Sequence, residues 1–584
     1  MRFVVAIVLF VTAFVAIGVG IAQRTVWAGP DSLTLTADTD SAAVLTLLEG
    51  SVLNAHEGRQ SVEISGSEQV AAATGRTDDV LAWIGDARYN RIDIDPETGE
   101  FVTEVVEGSE LQVPPITGSD LWLNEYTQEN MLTFAVDVPE DYSMIIAADG
   151  AEPAPSNISV TWPLDNSAPW AEPLVIAGLT LLLLGLAALI WALLHLRRSR
   201  GPRRKQPRLP KPPRARRYKP AQRAMTSTGS GRRNMIATPV ALAGLLAIGG
   251  SAIVATPATA DPVGAASAGE TAAPEIELPP TAVTESQLRR IVANIGQTVA
   301  EADEERDLKL ARGRLEGAAL QFRKASYEIQ EEDDELGQLP VIPQRSVKLT
   351  LPQQLSLPAQ GETWPRTVFT IVQDGSEESA PPVALILVQR DPRSQYKVHF
   401  AITLEPETVI PDVAPPTVGA ARLPEDTKLL AVAPKDLAAA YGDVLLKGEE
   451  SDFAELFDLT DDTLLPQIGV EQKDKREKKI PETAEIEFSN APGKSETIAF
   501  ATNDAGALVA LAVNEKETVR PVEEGAAVNP DGAVKALSGK KQSTKGITAT
   551  YGNQLLFYVP PVTEGGKIQL LGYSTSLIAA SEVG

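Results

Sequence analysis

Three uncharged, apolar runs are the strongest pattern along the chain. A membrane core of about 30 Å needs about 20 helical residues, because each residue adds about 1.5 Å. The runs cover residues 3–22, 174–196 and 234–260, and the third is the richest in Ala, Gly and Thr. The sequence therefore predicts three transmembrane helices, placed within residues 1–27, 173–196 and 234–260.

Two of these runs also end like cleavable signal sequences. Val26-Trp27-Ala28 places small residues before Gly29, although the apolar core is longer than that of an ordinary signal peptide. Ala258-Thr259-Ala260 ends the third run before Asp261. The first run is thus a transmembrane helix, a signal anchor or a signal peptide, and cleavage after Ala260 stays open.

Strict alternation of apolar and polar residues dominates residues 28–172. "SLTLTAD", "NMLTFAVDV" and "NISVTWPL" each place apolar side chains on one face, which is typical of half-buried strands. "DDVLAWIGD" is compatible with one short helix. We expect an N-terminal, all-β, sandwich-like domain here, with antiparallel strands.

A helical pattern followed by a strand pattern occurs twice in the C-terminal half. After a small-residue linker at 261–283, apolar residues from Leu288 to Ala302 recur at helical spacing, and runs such as "PPVALILVQRD" then indicate strands. The same order returns after a Pro-rich connector at 406–434. The sequence predicts tandem α+β units at 284–405 and 435–584.

This order of elements resembles nuclear-transport-factor-2-like and cystatin-like folds. The resemblance implies a bent sheet with helices over one face. Folds of this kind serve both enzymes and binding modules, so the resemblance leaves the function open.

Charge sets the expected topology. The chain has a net charge of -26, yet residues 197–233 contain 15 Lys and Arg and no Asp or Glu. Short basic loops stay on the cytoplasmic side, so we expect a cytoplasmic, Pro-rich loop at 197–233 and both large regions outside a plasma membrane. The residues expected to anchor this topology, and to attract anionic lipid heads, are Arg197, Arg198, Arg200, Arg203, Arg204, Lys205, Arg208, Lys211, Arg214, Arg216 and Arg217.

Residues with catalytic or metal-binding chemistry are sparse. The chain has no Cys and three His, which argues against disulfides, thiol chemistry and His-rich metal sites. There is no Gly-x-Ser-x-Gly motif, and His56 and His399 are expected to be surface or structural residues. The basic loop carries one aromatic residue, Tyr218, so nucleic-acid binding is disfavoured. We expect no cofactor, no metal and no catalytic residue.

One short motif carries an alternative. Asp93-Ile94-Asp95 matches the Asp-x-Asp pattern with which nucleotide-sugar transferases hold a metal and a diphosphate. In such enzymes a Gly-rich loop and alternating β and α elements surround the motif, and this segment lacks both. A strand that runs into a Pro-Glu-Thr-Gly turn is the favoured interpretation.

The arrangement of spans, β region, basic loop and α+β tail resembles a group of uncharacterised actinobacterial multi-span envelope proteins. The resemblance is carried by "WIGDARYNRI", "RRSRGPRRKQPRLPKPPRARR" and "LAAAYGDVL". Some of these proteins are labelled glycosyltransferases. We expect a non-enzymatic membrane protein of the cell envelope whose outer regions bind a protein, a lipid or a wall glycan. The alternative is a glycan-active enzyme, a glycosyltransferase or hydrolase, that uses outer carboxylates.

Overall fold

The computed structural model describes residues 2–39, 42–164, 166–199, 279–355, 364–373, 380–406, 408–563 and 565–584. The chain forms two compact units, and each is discontinuous in sequence. One unit contains Met1–Ala28 and Ala168–Ile276, and the other contains Gly29–Ser167 and Glu277–Gly584. The N-terminal β region and the C-terminal half therefore fold into the same unit.

The described part of the chain contains helices and strands in nearly equal measure. The helices are α1 (Arg2–Thr25), α2 (Gly50–Leu53), α3 (Thr77–Ile84), α4 (Ala171–Ser199), α5 (Glu285–Glu305), α6 (Leu308–Arg314), α7 (Gly317–Glu332), α8 (Pro434–Lys447), α9 (Leu465–Ile468), α10 (Val470–Glu477) and α11 (Gly532–Ser538). The strands of the first region are β1 (Ser32–Asp38), β2 (Leu45–Leu48), β3 (Gln60–Arg76), β4 (Tyr89–Ile94), β5 (Phe101–Val106), β6 (Asn124–Val136), β7 (Tyr142–Ala147) and β8 (Asn157–Pro163). The remaining strands are β9 (Val347–Pro352), β10 (Arg366–Val372), β11 (Val383–Gln389), β12 (Lys397–Thr403), β13 (Arg422–Leu423), β14 (Ala484–Pro492), β15 (Ile498–Ala501), β16 (Ala507–Pro521), β17 (Ile547–Val559) and β18 (Gln569–Glu582).

Helices α1 and α4 pack side by side in opposite directions, and we call this pair the hairpin although the whole β region separates them in sequence. Within the described residues, two helical stretches are long and apolar enough to cross a membrane, Phe3–Thr25 and Ala171–Arg198. The predicted third span at 234–260 lies outside the described residues. The two helices meet along small residues that recur every seventh position, and small residues let two helices approach closely. These residues are Ala6, Ala13 and Gly20 on α1, and Ala171, Gly178, Gly185 and Ala192 on α4.

We expect Gly20→Leu to loosen this hairpin. A Cβ atom on Gly20 would lie 2.7 Å from Val175 Cγ2, so a larger side chain forces the two helices apart. The measurement is disulfide formation between cysteines at Leu9 and Gly185, because a Cβ on Gly185 would lie 3.3 Å from Leu9 Cβ. Gly20→Leu should reduce the cross-linked fraction severalfold.

The matched control for this experiment is Gly18→Leu on the same helix. A Cβ atom on Gly18 has nothing within 4 Å, so the cross-link should persist in that variant. Equal cross-linking in the two leucine variants would contradict the close packing at Gly20.

In the first region of the other unit, the described strands β1 to β8 form one sheet. Its order is β1-β8-β3-β7-β2-β4-β5, with β6 paired to β3. The long strand β3 pairs with β8 through Ser61–Ser65 and with β7 through Ala71–Arg76, on either side of an irregularity at Gly66. Val62, Ile64 and Trp162 belong to one hydrophobic core of this sheet, whereas Ala71 and Ala73 of β3 belong to another.

The sheet differs from the predicted all-β sandwich in two respects. It is mixed rather than antiparallel, because β2 pairs with β4 in parallel. The region also contains helices α2 and α3. Helix α3 confirms the short helix predicted from "DDVLAWIGD". Alternation along a strand reports which face is buried and carries no information on the direction of the neighbouring strand, so the sequence pattern could not distinguish these pairings.

The C-terminal half contains the expected order of helices and sheet, twice. Strands β9 to β12 form an antiparallel sheet, and α5 to α7 pack on one of its faces. Helix α5 begins with a capping box in which Thr284 and Gln287 satisfy each other's backbone N–H groups. Strands β13 to β18 form a second sheet, and α8 packs on its outer face.

The two sheets of this half pack against each other. Phe369 and Ile386 of the first sheet share a core with Phe500, Leu508 and Leu556 of the second. The layers therefore follow the order helices, sheet, sheet, helix. Strands β10 and β11 are buried on both faces, which explains why residues 383–388 of β11 are continuously apolar instead of alternating. The tandem α+β units are thus halves of one structure.

Three buried or half-buried ion pairs join the N-terminal β region to the C-terminal half, and we call this contact the junction. Arg366 Nη2 lies 2.5 Å from Asp79 Oδ1, Arg393 pairs with Glu110 at 2.8 Å, and Arg314 pairs with Asp120. The sequence predicted separate outer domains, whereas the structure packs them together.

Hydrogen bonds to the main chain add to the junction. Arg393 donates to the carbonyl oxygens of Trp83 and Ile84 at 2.8 and 2.9 Å, and Gln287 donates to that of Leu121 at 2.9 Å. Arg76 donates to the carbonyl of Thr281 at 2.7 Å. Since several of these acceptors are buried, separating the regions would leave polar groups without partners.

Candidate functional site

An apolar cavity of about 590 Å³ lies in the C-terminal half, and we call it the α7 cavity. Helix α7 forms one wall, the edge strand β12 and strands β17 and β18 form another, and the segment around Pro340 closes a third. The apolar lining residues are Leu315, Ala319, Phe322, Leu339, Pro340, Val341, Ile342, Pro381, Val383, Ala401, Leu404 and Pro406.

Local contacts explain how the walls are held. Ala401 N donates to Gln554 Oε1 at 2.9 Å and Thr403 N donates to Ser574 Oγ at 3.1 Å, so side chains of the second sheet satisfy the free edge of β12. Helix α7 starts at Gly317, whose φ is +55°, and a Cβ atom there would lie 2.7 Å from the His399 ring. Glycine at this point lets the helix run close to β12.

Arg323 is the basic residue among the described lining of the α7 cavity, and it is only 5% exposed. Its Nη2 donates to the Pro340 carbonyl at 2.9 Å, and its Nε lies 3.2 Å from Asp303 Oδ1 without the alignment of a hydrogen bond. Burial lowers the pKa of Arg323, although Asp303 opposes the shift. A guanidinium group titrates so high that it stays charged.

An acidic recess of about 700 Å³ adjoins the α7 cavity and shares Glu405, Pro406 and Thr463 with it. Asp458, Asp461 and Asp462 also line the recess, and its described lining includes no Lys or Arg. Asp462 is buried and accepts a hydrogen bond from Tyr441 Oη at 2.7 Å. Burial raises the pKa of Asp462 in spite of this bond. The site therefore has an apolar part and an acidic part.

His399 lies outside the cavity, in a network of charged side chains. It is buried, its Nδ1 lies 2.9 Å from Glu316 Oε1, and its Nε2 has no partner among the described residues. Arg390 contacts Glu316 at 2.6 Å and Glu496 at 3.1 Å, and so links the two sheets. The expectation of a structural histidine fits this placement.

We expect Glu316→Gln to lower the free energy of unfolding by about 1–2 kcal/mol at pH 7. Burial alone would raise the pKa of Glu316, but hydrogen bonds from His399 and Arg390 hold it below its ordinary value of 4.5. A carboxylate of this kind stabilises the fold above its unfolded pKa, and the contribution disappears as the pH falls through the folded pKa. Urea unfolding at pH 7 and below pH 4.5 should show a difference from the unmodified protein that shrinks in acid.

Glu328→Gln is the control for this measurement. Glu328 lies on α7, the helix that begins directly after Glu316, and its exposed side chain pairs with Lys324 at 3.7 Å. Exposed pairs of this kind contribute little, so its effect should be small at either pH. A pH-independent loss in Glu316→Gln would contradict the assigned ionisation.

Asp93 and Asp95 lie where a strand runs into a turn, as the favoured interpretation expects. Asp93 belongs to β4, and Asp95 Oδ1 accepts hydrogen bonds from the backbone N–H groups of Glu97 and Thr98 at 2.7 and 3.1 Å. Both residues line a separate recess of about 430 Å³ on the β region. No group of three or more His, Asp or Glu residues suited to a metal ion occurs in the described part of the chain.

Two charged segments lie apart from the cavity. The basic segment "EQKDKREKK" has opposite charges four residues apart, which is typical of an exposed helix, but Lys473 of α10 is buried and its Nζ lies 2.5 Å from Glu515 Oε2. The reason is that α10 packs over β16, where Arg476 also pairs with Glu517. Of the topology residues, Arg197 and Arg198 lie in the last turn of α4, and the others lie outside the described residues.

The α7 cavity could not be predicted from the sequence, because its walls come from segments far apart in the chain. One local signal was present. Arg323 interrupts the buried face of α7 that Ala319, Phe322 and Ser326 also form, and a charge on a buried face calls for an explanation.

Comparison with known proteins places the C-terminal half in a family. No curated protein matches the chain, and no solved structure matches it. The family model described as "Domain of unknown function (DUF8094)" matches residues 279–582, which include α5 to α11, both sheets of the C-terminal half and the α7 cavity. Because this match covers more than half of the 584 residues, the chain belongs to the DUF8094 family.

Proposed function

We propose that this protein is a non-enzymatic, membrane-anchored binding protein of the cell envelope that holds an apolar or amphiphilic molecule in the α7 cavity. The cavity is the observation that carries the proposal. Its volume of about 590 Å³ falls within the range of about 300–1,000 Å³ that is typical of small-molecule sites, and its lining is mainly apolar.

Exposed apolar side chains at the borders of the two cavities support the same function. Val341, which lines the α7 cavity, is 72% exposed, and Val409, which lines the acidic recess, is 82% exposed. These side chains add apolar surface where a ligand would enter.

The topology in this proposal has both large regions outside the cytoplasm. The junction supports the placement of residues 29–167 and 279–584 in one compartment. If α4 spans the membrane, the chain has to cross it once more between α4 and residue 279. The apolar run at 234–260 is long enough in sequence for this crossing, and the basic residues before it favour a cytoplasmic loop.

The test of the proposed function is photo-labelling of the full chain in phosphatidylcholine nanodiscs. Palmitic acid and hexadecanol, each bearing a diazirine, are irradiated with the protein, and labelled peptides are identified by mass spectrometry. We expect labelled peptides from α7 and β12. Ala401→Phe, which fills the cavity from β12, should reduce the labelling of these peptides by both probes severalfold.

Ala579→Phe supplies the matched control. It introduces the same side chain at an exposed position of β18. Labelling should be unchanged in this variant. If Ala401→Phe folds normally and is labelled as strongly as the unmodified protein, the α7 cavity is not the binding site.

A further inference from the structure

Arg323 occupies a position that packing alone does not explain. It lies in the middle of α7, on the face that lines the α7 cavity, and it is 5% exposed. Taking a charged group out of water is costly unless partners compensate it. The adjacent Lys324 shows the ordinary alternative, because its side chain is exposed and pairs with Glu328.

The partners of Arg323 satisfy only part of its guanidinium group. Nη2 donates to the Pro340 carbonyl at 2.9 Å, Nε has no hydrogen bond, and Nη1 makes no hydrogen bond with the described residues. The carboxylate of Asp303 lies 3.2 Å from Nε, but it also accepts a hydrogen bond from Tyr327 Oη at 2.6 Å. A guanidinium group has five N–H donors, so donors remain for an anion in the cavity.

The α7 cavity and the acidic recess carry opposite charges. Arg323 lines the α7 cavity and does not line the acidic recess. Glu405 lies where the two meet, and Asp458, Asp461 and Asp462 lie in the recess. An anionic group is therefore attracted to Arg323 and repelled from the recess, which gives an elongated anionic ligand one preferred direction.

We propose that the α7 cavity binds a long-chain carboxylic acid, with its carboxylate on the guanidinium of Arg323 and its hydrocarbon chain against the apolar wall. This inference rests on the proposed binding function and names the ligand class. Guanidinium groups bind carboxylates through charge-assisted hydrogen bonds, which are stronger than those of a neutral hydroxyl group. Phe322, Val383 and Leu404 supply the apolar surface for the chain.

The two photoreactive probes test the inference directly, because they differ in the head group and share the chain. In the unmodified full chain in nanodiscs, the acid should label the cavity peptides at least about tenfold more efficiently than the alcohol. Arg323→Met should remove this preference, and Arg323→Lys should keep part of it. Lys324→Met removes the neighbouring exposed charge and should leave the preference intact.

The outcomes separate this inference from the proposed function. If both probes label the cavity peptides equally well and Ala401→Phe abolishes this labelling, the carboxylate proposal is overturned but the binding function remains supported. Labelling that Ala401→Phe does not change overturns both. If Arg323→Met fails to fold, the ratio of acid to alcohol in the unmodified protein still decides the question.

Discussion

Asp79→Ala is expected to lower the free energy of unfolding by about 3–5 kcal/mol, because it leaves a buried guanidinium group without its carboxylate. Asp79 is 4% exposed and Arg366 is 1% exposed, and their side chains meet at 2.5 Å across the junction. Arg76 also contacts Asp79 at 3.0 Å. Arg366 Nη1 and Nε have no hydrogen-bond partner among the described residues, and the Trp364 ring that stacks on the guanidinium at 3.7 Å carries no charge, so the variant offers no replacement carboxylate.

The dependence of this effect on pH follows from the ionisation of Asp79. Burial would raise the pKa of Asp79, but Arg366 and Arg76 hold it below its ordinary value of 3.8. A group with a depressed folded pKa stabilises the fold above its unfolded pKa and loses that contribution as the pH falls through the folded value. The difference between Asp79→Ala and the unmodified protein should therefore be full at pH 7 and shrink below pH 3.8.

Asp78→Ala is the matched control for chemical denaturation. Asp78 precedes Asp79 in the first turn of α3 and is exposed. Both variants lose one carboxylate near the helix N-terminus, so the helix-dipole contribution is common to them. Equal destabilisation by the two variants would show that the buried pair contributes nothing beyond this common part.

Cutting the chain between α4 and α5 should leave its two parts associated. The junction combines three ion pairs with hydrogen bonds to main-chain carbonyls, and it does not depend on the covalent connection. With a specific protease site inserted after residue 270, complete cleavage in detergent should yield two fragments that migrate together on size exclusion. If natural cleavage occurs after Ala260, the same contacts would retain the C-terminal part at the membrane.

Variants at the junction test whether its ion pairs hold the two fragments together. Asp79→Ala combined with Asp120→Ala removes two of the three carboxylates and should release the C-terminal fragment after cleavage. Asp78→Ala should not release it. Release of the fragment from the otherwise unmodified cleaved protein would show that the connection holds the two regions together.

Elements that depend on local periodicity could be predicted from the sequence alone. The first two apolar runs appear as α1 and α4, the helical spacing from Leu288 to Ala302 appears as α5 with its Thr284 cap, and the alternation at 132–138 appears in β6. These elements could be predicted because the pattern that identifies each of them lies within a few turns or one strand.

Features that depend on contacts between distant segments became visible only in the tertiary structure. The parallel pairing of β2 with β4, the packing of the two C-terminal sheets and the junction each bring together residues that are far apart in sequence. The burial of Lys473 and the position of His399 beside Glu316 have the same origin. A hydrophobic pattern reports that a face is buried, but it does not specify which surface covers it.

The α7 cavity shows this division within one site. Phe322 and Arg323 lie on helix α7, and Ala401 and Thr403 lie on strand β12. Only the packing of that helix and strand against β17 and β18 leaves a space between them and encloses Arg323 within its wall. A cavity forms where several packed elements leave space between them, so its volume cannot be predicted from any one segment.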